Sequence, residues 1–435
     1  MGVIIPIYFI KTFGKGFEEM KRSFFKYVAA ILVVVMLSSF TAFAAGYTPA
    51  EEAQLKFNSD GQFKILQITD IQDNFHLRRI AKKFIRYAVE QTKPDLIVLT
   101  GDNVAGYWSG TALFPAVDRN MVAECIDNFM AIFEEYYKQW GVRVAVVFGN
   151  HDDQFTWTTK EEQIKMYQKY DCFIGYDEAI ENIDIYGCGN YMVPIFKSDY
   201  TPITEGEIDY KNIAYNLMMI DSNTYVDALG LTDYDAVHDD QLQWFEGETK
   251  RINALSGKNV KSMVFQHIIV PDIYDALVKV DEGTEGAVKA KDGNYYVLPE
   301  GAKGTLGEAP CPPSKDVYNN EYERLINVGA EAFFFGHDHN NDFEVNYKGA
   351  TMYATSGVGF CSYGNELRGV RLITLDENGG DVKYDTQMIY YEDKDGFSSD
   401  EGNKDEIDAN AREKNFFKRL IAWIKTMFRL WFGWI

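Results

Sequence analysis

The 435-residue chain reads as an α/β protein that gathers a ligand-binding rim at the carboxyl ends of its strands. Two observations predict this. Between residues 60 and 376, apolar runs alternate with amphipathic helical stretches. Five of those runs end in side chains that bind metals: ILQITDIQD (Asp70, Gln72), LIVLTGDN (Asp102), VAVVFGNHD (Asn150, His151), SMVFQH (His267) and FFFGHDH (His337, His339). Runs rich in Val, Ile, Leu and Phe, bounded by Gly or Asp, are buried strands. Ligands of open α/β sheets bind beyond the carboxyl ends of such strands.

The elements follow in order. The run FKILQITD precedes a helix from Arg78 to Thr92, which the Lys93-Pro94 pair ends because a residue before proline avoids the helical region. Asp95 to Thr100 is the second strand. Met121 to Trp140 is amphipathic and helical, Gly141 closes it, and Val142 to Phe148 is the third strand. Lys160 to Lys169 and Gln241 to Asn253 are further helices. Asn212 to Ile220, Lys261 to Phe265, Ala332 to Phe335, Thr351 to Thr355 and Val370 to Leu375 supply the remaining strands. Residues 281–315, rich in Gly, Glu and Pro, read as a long functional loop. Together with loops around 104–120 and 154–210, it is where substrate choice is expected. There is no internal repeat.

Composition bounds the function. Hydrophobic residues make up 46% of the chain, enough for one large core or two modest ones. A formal charge of −22 argues against nucleic acid as an electrostatic partner. That charge is uneven: residues 411–435 carry six basic side chains against Glu413, a net +5, which leaves −27 on the rest. On a helical projection Lys414, Lys418, Lys425 and Arg429 share one narrow arc, opposite Phe416, Leu420, Trp423, Met427 and Trp431. Such a segment lies in a membrane interface and is too charged to span one. Residues 393–410 are an acidic linker, and 45–392 form the main domain.

At the other end, Lys21, Arg22 and Lys26 precede the apolar run Tyr27 to Leu37 and the small-residue stretch Ala42-Phe43-Ala44. Residues 1–44 are therefore an export signal cleaved after Ala44, with 1–19 read as an upstream extension before Met20. The alternative is an uncleaved anchor, for which the run is short of the roughly 20 apolar residues a span needs. Export places the protein outside the cell or on the outer face of the cytoplasmic membrane. Five cysteines are too few and scattered for a disulfide framework, although Cys172 and Cys188 are candidates for one bridge.

The chemistry rests on the joint pattern. A single histidine at a strand end is ordinarily a hydrogen-bonded structural residue, and an isolated GD or GN is a turn signal. Here four of six histidines fall at these strand ends, so chance placement is a poor account. Two carboxylates, three imidazoles and two amides suffice for two divalent cations about 3.5–4 Å apart. His337 and His339 lie two apart and share a face of an extended segment. Asp102 follows Gly101, which lets the backbone bend and the carboxylate project as a bridging ligand. Asn150 offers a neutral oxygen, and His151 beside it is free for proton transfer or for a phosphate oxygen. Asp152 is expected to orient that imidazole. His76 is a substitute ligand held in reserve, and His238 reads as a surface residue before a helix start.

In this order the motifs GD, GNHD, a single His and GHDH resemble those of the calcineurin-like metallophosphoesterases, over residues 60–376. FKILQITD, LTGDN, GNY at 189–191, Gln243-Trp244-Phe245 and GHDHNNDF are most similar to the short purple-acid-phosphatase-like branch. The resemblance implies a four-layer αββα sandwich of two mixed sheets flanked by helices. It implies a first metal held by Asp70, Gln72, Asp102 and His339, and a second by Asp102, Asn150, His267 and His337. It also implies in-line attack on a phosphate ester by solvent activated between the metals, with His151 stabilising the phosphoryl oxygens or protonating the leaving group.

Two positions depart from that pattern. Gln72 stands where the family commonly has histidine, a harder and weaker donor that favours Mn, Fe or Mg over Zn at the first position. Ala105 stands where purple acid phosphatases carry their colour-giving tyrosine, with Tyr107 two residues further on, so no Fe(III)–tyrosinate band is expected. The expected activity is phosphomonoester hydrolysis. The alternatives are a phosphodiesterase acting on nucleotides or lipid headgroups, and a metal-binding surface protein whose catalysis has decayed.

Overall fold

The computed structural model describes residues 54–73, 77–106, 115–175, 184–203, 208–226 and 233–391. The export signal, His76, Tyr107, the acidic linker and the 411–435 helix lie outside the described residues. No helix among the described residues is long and apolar enough to cross a membrane.

In chain order the strands of the first half are β1 (Leu55–Lys56), β2 (Gln62–Ile68), β3 (Leu96–Thr100), β4 (Arg143–Val147), β5 (Tyr191–Phe196), β6 (Ile213–Met219) and β7 (Ser262–Phe265). Those of the second half are β8 (Val278–Val280), β9 (Val288–Lys289), β10 (Tyr295–Val297), β11 (Ala330–Phe335), β12 (Glu344–Tyr347), β13 (Ala350–Ala354), β14 (Gly369–Asp376) and β15 (Lys383–Tyr390). The helices are α1 (Arg79–Thr92), α2 (Pro115–Trp140), α3 (Lys160–Tyr167), α4 (Asp239–Ser256), α5 (Ile273–Ala276) and α6 (Glu321–Asn327).

Two mixed sheets carry the fold. One has the order β15-β14-β2-β3-β4, with β2, β3 and β4 parallel. The other runs β1-β5-β6-β7-β11-β13-β12, with β6, β7, β11 and β13 parallel. Strand periodicity sets what each face meets. Leu66, Ile68, Ile97, Leu99, Val144 and Val146 share one buried cluster with Ile80, Phe84, Phe129 and Phe133 of α1 and α2. The intervening positions face the second sheet. There Gln67 donates to Phe335 O at 3.2 Å and accepts from Thr355 Oγ1 at 2.7 Å, and buried Arg371 donates to Ala354 O at 2.8 Å. On the outer face of the second sheet, Tyr322 of α6 packs on Phe333, ring centroids 4.6 Å apart. The layers are therefore helix, sheet, sheet, helix, a mixed α/β architecture as the resemblance implies.

Some expectations are corrected. The 281–315 loop contains β9 and β10, which with β8 form a small antiparallel sheet. α2 begins at Pro115 rather than Met121, using proline at the first helical position where no N–H partner is needed. Strand β5 interrupts the 154–210 loop, whereas α3 forms where a helix is expected. Cys172 and Cys188 are both buried, with no disulfide between them.

Candidate metal centre

β2, β3 and β4 of one sheet and β7 and β11 of the other deliver their carboxyl ends to one rim. Backbone bonds stitch these ends together: Asp70 N–H donates to Gly101 O at 3.1 Å, and Gly336 N–H to His267 O at 3.0 Å. Between the sheets, His337 N–H donates to Asp70 Oδ2 at 3.0 Å. Just past their strands the chain turns through left-handed backbone at Asp70 (φ 54°), Gln72 (φ 38°), Asp102 (φ 49°) and His337 (φ 73°). Such conformations cost of order 1–3 kcal/mol each in a non-glycine residue and persist where the surroundings over-determine them. Two glycines make room for the convergence. A Cβ on Gly101, at φ +89°, would lie 2.7 Å from the His267 ring, and one on Gly149 would overlap Asp102 Oδ1.

Six of the seven expected ligands, Asp70, Gln72, Asp102, His267, His337 and His339, lie against one another at this rim, and Asn150 is buried on the loop after β4. His267 Nε2 lies 3.2 Å from Asp102 Oδ2 and 3.9 Å from Asp70 Oδ1, and His339 Nε2 lies 3.1 Å from Asp70 Oδ1. Donor atoms of Asp102, His267 and His337 all fall within 4.8 Å of one another. Gln72 directs its amide nitrogen at Asp102 Oδ2, 2.7 Å away. Two imidazoles are oriented from behind: His267 Nδ1 faces Thr100 O at 2.9 Å and His339 Nδ1 faces Tyr363 O at 2.8 Å. A ring that donates through Nδ1 keeps its lone pair on Nε2, the tautomer a metal requires.

Divalent cations fit this donor set. Gln72 Oε1 and Asn150 Oδ1 are buried without a hydrogen-bond partner, an arrangement proteins avoid unless something else engages those atoms. The electrostatics agree. Burial opposes ionisation of Asp70 and Asp102, yet His339 and His267 hold Asp70, and His267 and His151 hold Asp102, below the ordinary carboxylate range. Burial likewise opposes charge on His267, but Asp102 and Asp70 raise it to about 10. His337 is pushed down to about 3 by burial and by His267. The rim thus favours positive charge between its two carboxylates, and a cation satisfies that preference.

His151 stands at the open side. Its ring is 28% exposed, with Nε2 3.9 Å from Asp102 Oδ2, and its backbone N–H donates to Asp102 Oδ1 at 2.7 Å. Asp152 does not orient it. The Asp152 carboxylate turns away and accepts from Val104 N–H at 3.0 Å and Gly149 N–H at 2.7 Å, tying together the two loops that carry Asp102 and Asn150. Burial, then Asp102, raise its pKa to about 7. The group beside the imidazole is Gln154, whose Oε1 lies 2.7 Å from His151 Nδ1. His238 sits at the start of α4, its ring stacked on Tyr186 at 3.7 Å and paired with Asp235 at 2.9 Å.

Sequence reasoning missed the aromatic wall. Tyr363 stacks on His339 with centroids 4.2 Å apart, and Tyr234 meets His337 edge-on at 4.7 Å. Tyr225 contacts Asn150 and Gln154 through its hydroxyl. Among 28 tyrosines none of these carries a local signal; only Gln154, three residues after His151 in a turn, is at a spacing that hints at contact.

Residues 63–341 match the calcineurin-like phosphoesterase family. The chain is 26% identical over 341 residues to a protein of Arabidopsis thaliana named probable inactive purple acid phosphatase 14, covering 72% of this chain and 74% of that one. It is 24% identical over 361 residues to probable inactive purple acid phosphatase 29 of the same plant, covering 76% and 80%. Phosphatase DCR2 of Saccharomyces cerevisiae is 25% identical over 312 residues, 67% of this chain and 46% of that protein.

Proposed function

Because this chain belongs to the calcineurin-like phosphoesterase family, we propose that it is a metal-dependent phosphatase acting on phosphomonoesters. The observation that carries this reading is the buried donor set drawn from five strand ends, with His151 at its open side. Asp70, Gln72, Asp102 and His339 would hold one divalent cation, and Asp102, Asn150, His267 and His337 the other. Two such cations, of Mn, Fe, Zn or Mg, would supply Lewis acidity and lower the pKa of bound solvent.

The chain's own residues do the rest. Asp70 and Asp102 supply the negative charge that concentrates cations at the rim. Gln154 Oε1 takes the Nδ1–H of His151, so Nε2 faces the cleft; with both ring nitrogens protonated it would donate to a phosphoryl oxygen or pass that second proton to the leaving alkoxide. Asp152 keeps the Asp102 and Asn150 loops in register.

A second reading, a metal-binding protein without turnover, draws on Gln72, a weaker donor than imidazole, and on the names of the plant relatives. Turnover of p-nitrophenyl phosphate and bis-p-nitrophenyl phosphate with added Mn²⁺ decides between them. The monoester should be cleaved faster, and His151→Ala should lower kcat by roughly 10²–10⁴ with metal content unchanged. No turnover of either ester at full metal occupancy would leave only the binding role.

Residues 1–44 and 411–435 support the further reading that the protein is exported and rests on a membrane surface. Deleting 411–435 should release it from anionic vesicles; continued sedimentation with them would refute the anchor.

A further inference from the structure

We propose that Tyr225 is a positioning residue whose single hydroxyl aims both Asn150 and His151 at the metal centre. The phenol oxygen accepts from Asn150 Nδ2 at 3.1 Å and from Gln154 Nε2 at 3.1 Å. One O–H cannot donate to two amides, so at least one of them must present its nitrogen. For Asn150 the consequence is direct. With Nδ2 held by Tyr225, Oδ1 turns the other way, where it is buried with no hydrogen-bond partner. That is the oxygen a cation would take.

The second branch passes through Gln154. With Nε2 spent on Tyr225, Oε1 is the atom facing His151 Nδ1 at 2.7 Å. An amide oxygen there accepts only from a protonated Nδ1, so the hydroxyl fixes the imidazole tautomer two bonds away. The opposite amide orientation would place N–H against Nδ1 and move the ring proton to Nε2. One oxygen atom thus sets the ligand face of Asn150 and the proton-bearing face of His151 together.

Tyr225 is itself held firmly. It forms an antiparallel bridge with Tyr234, flanked by Val226 N–H to Asp233 O at 3.1 Å and Asp235 N–H to Thr224 O at 3.2 Å. The two rings stack at 5.3 Å, and Tyr234 abuts His337. A phenol clamped this way can orient its neighbours rather than follow them.

The inference deepens the phosphatase reading, but its test does not need turnover. Tyr225→Phe removes the hydroxyl and keeps the ring. On the full chain without substrate, Mn²⁺ affinity should fall by roughly 10–100-fold, the usual effect of losing a group that orients a ligand. The ¹⁵N signals of His151 should move from the Nδ1–H pattern toward Nε2–H in the same variant. Gln154→Leu should change only the His151 signals, and Asn150→Ala only the Mn²⁺ affinity. A folded Tyr225→Phe with unchanged Mn²⁺ affinity and an unchanged His151 tautomer would overturn the proposal. If that variant fails to fold, wild-type spectra decide, since an unprotonated His151 Nδ1 is incompatible with it. Loss of both effects alongside normal phosphatase turnover would reject Tyr225 alone; both effects without any turnover would reject only the phosphatase.

Discussion

His267 Nε2 lies 3.2 Å from Asp102 Oδ2, and neither side chain reaches solvent. In the metal-free protein this pair holds a proton, because Asp102 and Asp70 overcome burial and raise His267 to about 10. A cation needs the neutral ring, so binding must expel that proton. Affinity should therefore rise with pH from neutrality up to about 10, where the metal-free ring already loses it. The sign for stability is opposite. A folded-state pKa above the unfolded value stabilises the metal-free fold fully below pH ~6.5, and that gain fades as pH climbs through about 10. Calorimetry of Mn²⁺ binding in buffers of different ionisation enthalpy reads the released proton; none at pH 7 would contradict the pairing.

Gln72 presents its nitrogen to Asp102 Oδ2 and leaves Oε1 buried without a partner. Replacing it by histidine supplies a stronger, softer donor at the same left-handed position. Gln72→His should tighten metal binding about tenfold, equivalent to roughly 1.4 kcal/mol, with the larger gain for Zn²⁺. Metal titration followed by elemental analysis checks this, and unchanged occupancy counts against Gln72 as a ligand.

Gly149 is not in the left-handed region, so its requirement is for space alone. A methyl group there would overlap Asp102 Oδ1 and press on the His267 ring at 2.8 Å. Gly149→Ala should cost about 1–3 kcal/mol in stability and deplete bound metal. Gly247, inside α4 with open space around it, provides the contrast: Gly247→Ala should be neutral or stabilising by up to about 1 kcal/mol. Equal melting temperatures for the two variants would refute the steric argument.

Lys160, at the start of α3, donates to both oxygens of fully buried Asp221 at 2.9 and 3.0 Å. This ion pair ties the segment after His151 to the carboxyl end of β6. Lys160→Met strands the carboxylate and should cost about 3–5 kcal/mol in thermal or urea unfolding. The N–H groups of Cys188 and Asn223, which also bond Asp221, pull the value toward the lower end. Lys160→Met combined with Asp221→Asn should recover part of the loss, whereas additive effects would show the pair uncoupled.

Apolar runs long enough to be buried on both faces, such as Leu96–Thr100 and Ala330–Phe335, announce themselves in the sequence, and so do the ligands at their ends. What stays hidden has physical reasons. β8, β9 and β10 are two or three residues long, too short for any period to register. β15 is half exposed along its length, so its pattern resembles a polar loop. The role of Asp152 could not be read from adjacency to His151, because its carboxylate bonds the Gly149 and Val104 N–H groups while the imidazole meets Gln154. Tyr225 is held at the site by an isolated antiparallel bridge to Tyr234 that no local pattern encodes.

Asp70, Asp102 and Asn150 hang from one sheet, whereas His267, His337 and His339 hang from the other. Each of the two proposed ion sites draws ligands from both sheets, so a captured ion would act as a clasp between them. Its binding energy counts only in the assembled state, adding about 2.7 kcal/mol when free metal is a hundredfold above Kd. A chelator should consequently lower the melting point of the entire domain, and the interior between the sheets should become the first region to exchange its amide hydrogens.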